Sequence, residues 1–268
     1  DFSVNINPLG MPQGVRQAIT EYTAWDETYP DIECTDLRRA IAQKEGIAPE
    51  QILCGNGASE LLMAVVRAAA PEKCAIAAPS FSGYERAVRA AGAEPVFYEL
   101  SHDTGFGYET VCDRLSKMTV QMLFLCNPNN PTGEVRPAGR LRRLIEEHPR
   151  QLFVIDQSYE AFTLKEVLGV GETAALPNVL LLHSMTKRFA VPGLRLGYLT
   201  GHKDLLQKLR RYRMPWSVNA LAIEAGTYLL RHESAYQLDL NALLAERQRV
   251  AGELEKLGGI EVWPSDTH

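Results

Sequence analysis

Ser184-Met185-Thr186-Lys187, and then Pro192-Gly193-Leu194-Arg195, set one primary amine beside two hydroxyls, with a guanidinium eight positions beyond the lysine. An amine attacks a carbonyl only when unprotonated, a state that burial or a neighbouring cation favours by lowering its pKa. Hydroxyls and an arginine bind phosphate, the arginine as a planar two-pronged donor. Gly193 lets the backbone turn back between the lysine and the arginine. The stretch therefore suits a phosphorylated aldehyde cofactor held covalently by Lys187. Residues 179–183 just before it are apolar enough for a buried strand, which would set Lys187 at a strand's carboxyl end, where ligands of α/β sheets collect. Taken alone, a Ser-x-Thr-Lys string is more often a surface turn than a site, so other segments must decide.

Outward from this stretch, helical and strand-like patterns alternate from about residue 35 to 200, the signature of an α/β domain with a largely parallel sheet. Leu37 and Ile41 mark a helix, 51–54 a short strand, 59–70 an apolar helix, 74–78 a strand and 84–91 a helix. Residues 95–100, 120–126, 152–155, 179–183 and 195–200 are further short apolar runs, of the length expected for buried parallel strands. Gly, Pro and Asn clusters separate them as loops do. Beyond Pro215 two helices are expected, at 220–230 and 238–257, the second with Leu240, Leu243, Leu244, Val250, Leu254 and Leu257 close to one stripe. Gly258-Gly259 ends it, and 260–263 reads as the first strand of a second domain.

Three other segments offer chemistry. Gly55-Asn56-Gly57-Ala58-Ser59-Glu60 lies between a strand and a helix, where small residues and unpaired amides bind an anion. It fails the dinucleotide fingerprint, whose third glycine falls at Glu60, and no Gly-Lys-Ser/Thr follows as in a P-loop. It is a phosphate cup or a helix cap. Asn127-Pro128-Asn129-Asn130-Pro131-Thr132-Gly133 is a stiff loop displaying amides after an apolar strand, with more turn chemistry than one turn requires. Asp156 ends another apolar strand and Tyr159 follows it. A buried carboxylate is costly unless paired; a protonated heterocyclic nitrogen would pair with it, or Asp156 caps the next helix.

The 268 residues, 46% hydrophobic and 23% charged, are those of an ordinary globular protein. A net charge of -5 argues against general attraction to nucleic acid or anionic membrane. Basic residues cluster at Lys203, Lys208, Arg210, Arg211 and Arg213, most simply the solvated face of a helix. Cys34, Cys54, Cys74, Cys112 and Cys126 form no CxxC pair, so neither a zinc site nor a disulfide framework is indicated, and buried free thiols in a reducing compartment are expected. No apolar run spans a bilayer and no signal peptide is evident, which points to the cytoplasm. The opening on Asp1 without a methionine, and the stop soon after 260–263, are those of a segment of a longer chain.

These four segments, in this order, resemble the fold-type I pyridoxal-phosphate enzymes of the aspartate aminotransferase superfamily, class I/II, across essentially the whole chain. The resemblance implies a three-layer α/β/α large domain with a mostly parallel central sheet and an incomplete small α+β domain. The expected divisions are an N-terminal segment 1–30, a large cofactor-binding domain 31–232 and the start of a small domain at 233–268. By position, Lys187 matches the lysine that holds pyridoxal 5'-phosphate covalently, Asp156 the partner of the pyridine nitrogen, and Asn130 with Tyr159 the donors to the ring's phenolic oxygen. Gly57 with the Ala58 and Ser59 amides, Ser184 and Arg195 match the phosphate cup, and Phe81 the aromatic stacked on the ring. Tyr29, in Tyr29-Pro30-Asp31, resembles a tyrosine that reaches the phosphate of the neighbouring subunit, which implies a homodimer with shared sites. Gln157-Ser158 departs from the usual acidic residue and alanine.

Within the superfamily, 1–10, 191–198 and 214–220 resemble threonine-phosphate decarboxylases of cobalamin biosynthesis, with histidinol-phosphate aminotransferases as near neighbours. The implied substrate is a phosphorylated amino acid or amine, and the implied catalytic residues are Lys187, Asp156 and Tyr159; no metal is expected. The residue that fixes the substrate carboxylate is expected beyond residue 268. Decarboxylation, transamination and a non-catalytic regulator on the same fold are the competing readings, and a dinucleotide-binding dehydrogenase is disfavoured by Glu60.

Overall fold

The structure is a computed structural model and describes residues 4–22, 27–99 and 119–268. Asp1–Ser3 and Cys112, on which the sequence reading drew, lie outside the described residues. Seven described strands form one sheet: β1 Ile52–Asn56, β2 Lys73–Ala78, β3 Glu94–Glu99, β4 Met122–Cys126, β5 Leu152–Asp156, β6 Val179–Ser184 and β7 Leu196–Gly201. The α-helices among the described residues are α1 Gln13–Glu21, α2 Thr35–Glu45, α3 Gly57–Ala69, α4 Gly83–Ala90, α5 Ala138–Glu147, α6 Val170–Thr173, α7 Met185–Arg188, α8 Lys203–Arg210, α9 Ala220–Arg231 and α10 Leu240–Glu255.

Successive residues of the central strands enter opposite cores, which is why these strands read as unbroken apolar runs. Phe124, Val154, Leu180 and Leu182 pack with Leu61, Leu62 and Val65 of α3 and with Leu206 of α8. Their neighbours Leu123, Leu125, Phe153, Ile155 and Leu181 pack instead with Leu141, Leu144 and Ile145 of α5. A third core joins Val15, Leu37, Ile41, Ala222 and Leu229 of α1, α2 and α9 to Ile52 and Leu196 at the β1 side of the sheet. Each fully buried leucine or phenylalanine contributes about 1.5–3 kcal/mol. The result is the expected three-layer α/β/α arrangement.

The spatial order is β1-β7-β6-β5-β4-β2-β3. Neighbours are parallel except at β7, which pairs antiparallel with both β1 and β6. The reversal positions the site. Asn56, Cys126, Asp156 and Ser184 are the last residues of β1, β4, β5 and β6, so they share the sheet's carboxyl edge. Because β7 runs the other way, its first residue Leu196 pairs with Asn56, and Gly197 with Ser184. Arg195 is thereby delivered to that same edge.

Three expectations are corrected. Residues 260–263 form no strand, and Ile260 and Trp263 are exposed; an extended segment becomes a strand only with a ladder partner, and none of the described strands lies beside it. In α10 the buried residue is Ala251, while Val250, Leu254 and Leu257 of the leucine-rich stripe are exposed. The basic run is only partly a solvated face. Lys203, Lys208 and Arg211 are exposed, but Arg210 pairs with Glu33 and donates to the Ile52 carbonyl, and Arg213 donates to the Cys54 and Ile32 carbonyls. These two arginines fasten the segment before α2 to β1. Helix α1 buries Val15. Cys34, Cys54, Cys74 and Cys126 are buried free thiols.

Candidate cofactor site

At the carboxyl edge a cavity of about 170 Å³ is lined by residues from each of the four segments, Ala58, Ser59, Asn130, Asp156, Tyr159, Ser184, Lys187 and Arg195, together with Phe81. Its phosphate end is built on the start of α3. Asn56, the cap residue, makes no side-chain bond to the helix, so the first amides of α3 stay available to an anion. Gly57 has φ +73, and a Cβ there would stand 2.6 Å from Arg195 Nη2. A side chain there would strain the left-handed backbone and push aside the guanidinium lying over it, which glycine avoids. Gly197 is equally constrained, since a Cβ would meet the His183 carbonyl at 2.9 Å and the Ala58 nitrogen at 3.0 Å. Ser184 and Arg195 are thus drawn tightly around the same helix end.

Lys187 sits on α7, one short turn beyond β6. Its ammonium lies 5.7 Å from the Tyr159 ring centroid. Burial, reinforced by Arg195, holds its pKa below that of an ordinary lysine, while Asp156 acts in the opposite direction. An amine in that setting is a better nucleophile at neutral pH.

Asp156 is 5% exposed. Its Oδ1 accepts the Ser158 backbone N–H at 2.9 Å and its Oδ2 accepts the Tyr84 hydroxyl at 2.7 Å. The contact to Ser158 is a local turn, so the helix-cap reading is replaced by a carboxylate fixed at the cavity floor. The Tyr159 hydroxyl is pushed up to about 12, mainly by burial, with Cys126 and Asp156 adding to the shift; it remains a hydrogen-bond donor over the physiological range.

The asparagine-rich loop divides its labour. Asn127 accepts the Arg136 N–H at 2.7 Å and donates to the Arg136 carbonyl at 3.2 Å. Asn129 donates to Thr132 Oγ1 at 3.0 Å and to the Pro79 carbonyl at 3.2 Å. These two buried side chains shape the loop, and Asn130 is left to line the cavity.

Phe81 lines the cavity with an edge-on contact to Tyr84, ring centroids 5.5 Å apart. A Cβ on Gly83 would collide with the Phe81 ring. Tyr29 is not part of this lining; it is 82% exposed and its ring lies 5.1 Å from that of Trp216. Gln157 turns away, donating to the Leu168 carbonyl at 3.0 Å, whereas Ser158, the other half of that departure, lines the cavity.

Two lining residues carried no site signal in the sequence, Tyr84 and Cys126, while Ser158 and Thr186, named there without a cofactor role, also line the cavity. Tyr84 carried no signal beyond an aromatic at a helix start, which reads as core. Behind the site the buried His183 meets the half-buried Glu160, a pair the sequence did not announce either. His183 Nδ1 is 3.2 Å from Glu160 Oε1, its ring stacks on Tyr198 with centroids 4.6 Å apart, and the Tyr198 hydroxyl meets Glu45 Oε1 at 3.2 Å. Burial would raise the Glu160 pKa, but His183, with Lys44 and Arg188 farther off, holds it below the usual carboxylate range.

The profile of the aminotransferase class I and II family matches residues 1–268. The chain belongs to that family. It is 34% identical to the threonine-phosphate decarboxylase of Salmonella typhimurium over 98% of its own length and 73% of that protein's. It is 32% identical to a histidinol-phosphate aminotransferase of Desulfitobacterium hafniense, covering 98% of itself and 74% of that relative. Among solved structures, L-threonine-O-3-phosphate decarboxylase from Porphyromonas gingivalis superposes with a TM-score of 0.90 at 31% identity, covering 99% of this chain and 79% of the other. Membership makes this chain an enzyme of a pyridoxal-phosphate-dependent family of decarboxylases and aminotransferases.

Proposed function

We propose that this enzyme binds pyridoxal 5'-phosphate in the cavity at the sheet's carboxyl edge and decarboxylates threonine phosphate, giving aminopropanol phosphate for cobalamin biosynthesis. The observation that carries the reading is the convergence of Lys187, Asp156 and the Gly57–Arg195 contact in one cavity. The donor set fits the cofactor's shape. An uncapped helix start, Ser184 and Arg195 suit a phosphate, and a buried carboxylate suits a protonated ring nitrogen. Asn130 and Tyr159 offer donors to the ring's phenolic oxygen, Phe81 a face to stack on, and Lys187 the amine that holds the aldehyde carbon.

Bound there, pyridoxal phosphate supplies an electron-accepting ring that lets a bond at the substrate's Cα break heterolytically. Asp156 would pair with the ring nitrogen and hold a proton there. Lys187 would hold the cofactor and, as a free amine, could hold a proton near Cα. In decarboxylation the Cα–carboxylate bond breaks, carbon dioxide leaves, and Cα receives one proton in its place. Placement of the carboxylate decides between this outcome and removal of the Cα hydrogen.

A histidinol-phosphate aminotransferase is the second reading, favoured by the 32% identity to one such enzyme. Both readings include a homodimer in which the exposed Tyr29 reaches the phosphate in the partner's site, a large domain at 31–232 and the start of a small domain at 233–268. A cytoplasmic enzyme accords with the finding that no helix among the described residues is long and apolar enough to cross a membrane. The deciding experiment is incubation with threonine phosphate and measurement of carbon dioxide, then with histidinol phosphate and 2-oxoglutarate. Carbon dioxide release from threonine phosphate without an oxo-acid acceptor is expected; glutamate formation from 2-oxoglutarate, with no carbon dioxide released from threonine phosphate, would overturn decarboxylation in favour of the second reading.

A further inference from the structure

Beside the cofactor cavity lies a larger one of about 520 Å³, and the two share Asn130 and Tyr159. Its far wall is the segment after α10. That wall is docked onto the asparagine-rich loop: Asp266 N donates to the Gly133 carbonyl at 3.0 Å, and Asp266 Oδ2 accepts the Val135 N–H at 2.9 Å. Gly133 has φ +69, and a Cβ there would stand 1.9 Å from Ser265 Oγ, so the contact depends on glycine.

The lining of this second cavity contains no aspartate or glutamate among the described residues, but it does contain Arg247 and the hydroxyls of Thr132, Ser265 and Thr267. Burial lowers the pKa of His268, the other basic side chain there, so the fixed positive charge at neutral pH is Arg247. Two of its bonds orient it: Nη1 to Gln248 Oε1 at 3.2 Å and Nη2 to the Trp263 carbonyl at 3.1 Å. A guanidinium has five N–H donors, which leaves others for a ligand. Guanidinium plus hydroxyls, without a competing acid, is the chemistry of an oxyanion with several acceptor oxygens.

We propose that this second cavity is the substrate lobe and that Arg247 binds the phosphate monoester of the substrate, while the substrate amine passes Asn130 and Tyr159 toward Lys187. The assignment rests on the function proposed above. Arg195 is committed to the cofactor end, where it lies against Gly57, so the substrate phosphate needs its own cation. A phosphate has one more oxygen than a carboxylate and a larger charge, which suits the added hydroxyls. Arg247 then makes the enzyme prefer phosphorylated over unphosphorylated amino acids.

The test uses the cofactor-loaded protein, with orthophosphate binding measured by calorimetry in the parent, Arg247→Gln and Arg247→Lys. Arg247→Gln should weaken orthophosphate by about 10- to 100-fold, the loss of a charge-assisted bond. Arg247→Lys should fall between, since a point charge replaces a fork. The KM for threonine phosphate should rise in parallel with little change in kcat, and the preference for threonine phosphate over threonine should collapse. Orthophosphate binding within twofold of the parent in a folded Arg247→Gln, or in Arg247→Lys if the first does not fold, overturns the assignment. So does a KM that rises equally for threonine and threonine phosphate. A protein that loads cofactor normally but shows either result refutes only this assignment; one that takes up no cofactor overturns the proposed function and this inference with it.

Discussion

Tyr84 donates its hydroxyl hydrogen to Asp156 Oδ2 at 2.7 Å, joining the start of α4 to the end of β5. The tyrosine is fully buried and stacks on Phe124 with centroids 5.1 Å apart. Its donor therefore points in a fixed direction, and with the Ser158 N–H on the other oxygen it sets the plane of the carboxylate.

Tyr84→Phe keeps the ring and removes that donor. A lost hydrogen bond to a charged group costs about 1.5–3 kcal/mol, so cofactor affinity should fall by roughly 10- to 100-fold. Titration of the cofactor-free protein by visible absorbance measures it. An affinity equal to the parent's would show that Ser158 alone suffices to hold Asp156.

Lys187→Ala should abolish the visible absorption of covalently held cofactor, and an unchanged band would refute the lysine's role. In the cofactor-free protein, the rate at which added pyridoxal phosphate is captured should rise with pH through the lysine's lowered pKa, because the free amine attacks when deprotonated. Burial sets most of that lowering and Arg195 contributes to it. Arg195→Gln should therefore move the limb to higher pH, and a limb that stays in place or moves down would contradict the electrostatic account.

Gly57→Ala forces a Cβ into a left-handed backbone and against the Arg195 guanidinium. The backbone penalty alone is about 1–2 kcal/mol. Urea unfolding should register that loss, and weaker cofactor binding should accompany it because Arg195 must move. Parental values in both measurements would mean that the close approach at Gly57 is dispensable.

Glu160 has a depressed pKa owing chiefly to His183, against the opposing effect of burial. A carboxyl group whose folded pKa lies below its unfolded one adds stability above the unfolded pKa and loses it as pH falls through the folded one. His183→Phe should raise the Glu160 pKa, so acid unfolding should begin at higher pH than in the parent. Unfolding followed between about pH 3 and 6 tests this; coincident acid transitions would separate Glu160 from His183.

Most of the sheet was legible because strands buried on both faces must be apolar at every position, and β4, β5 and β6 are. Strand 260–263 was misread on the same basis, since apolar character cannot supply a ladder partner. The lysine, aspartate and glycine-rich segments were legible through unusual local chemistry. Tyr84 and the His183–Glu160 pair were not, because a buried polar side chain is made functional by a partner distant in sequence, 72 positions away for Tyr84 and Asp156.

By itself the sequence determined the alternating layers, the family resemblance and the amine, carboxylate and cup residues, all of which are expressed in local pattern and residue type. The tertiary structure alone decided that β7 runs backward. That reversal places Arg195 over Gly57, beside Ser184 and at the same edge as Lys187. The direction of a strand depends on which neighbours it pairs with, and a short apolar run carries no mark of its direction.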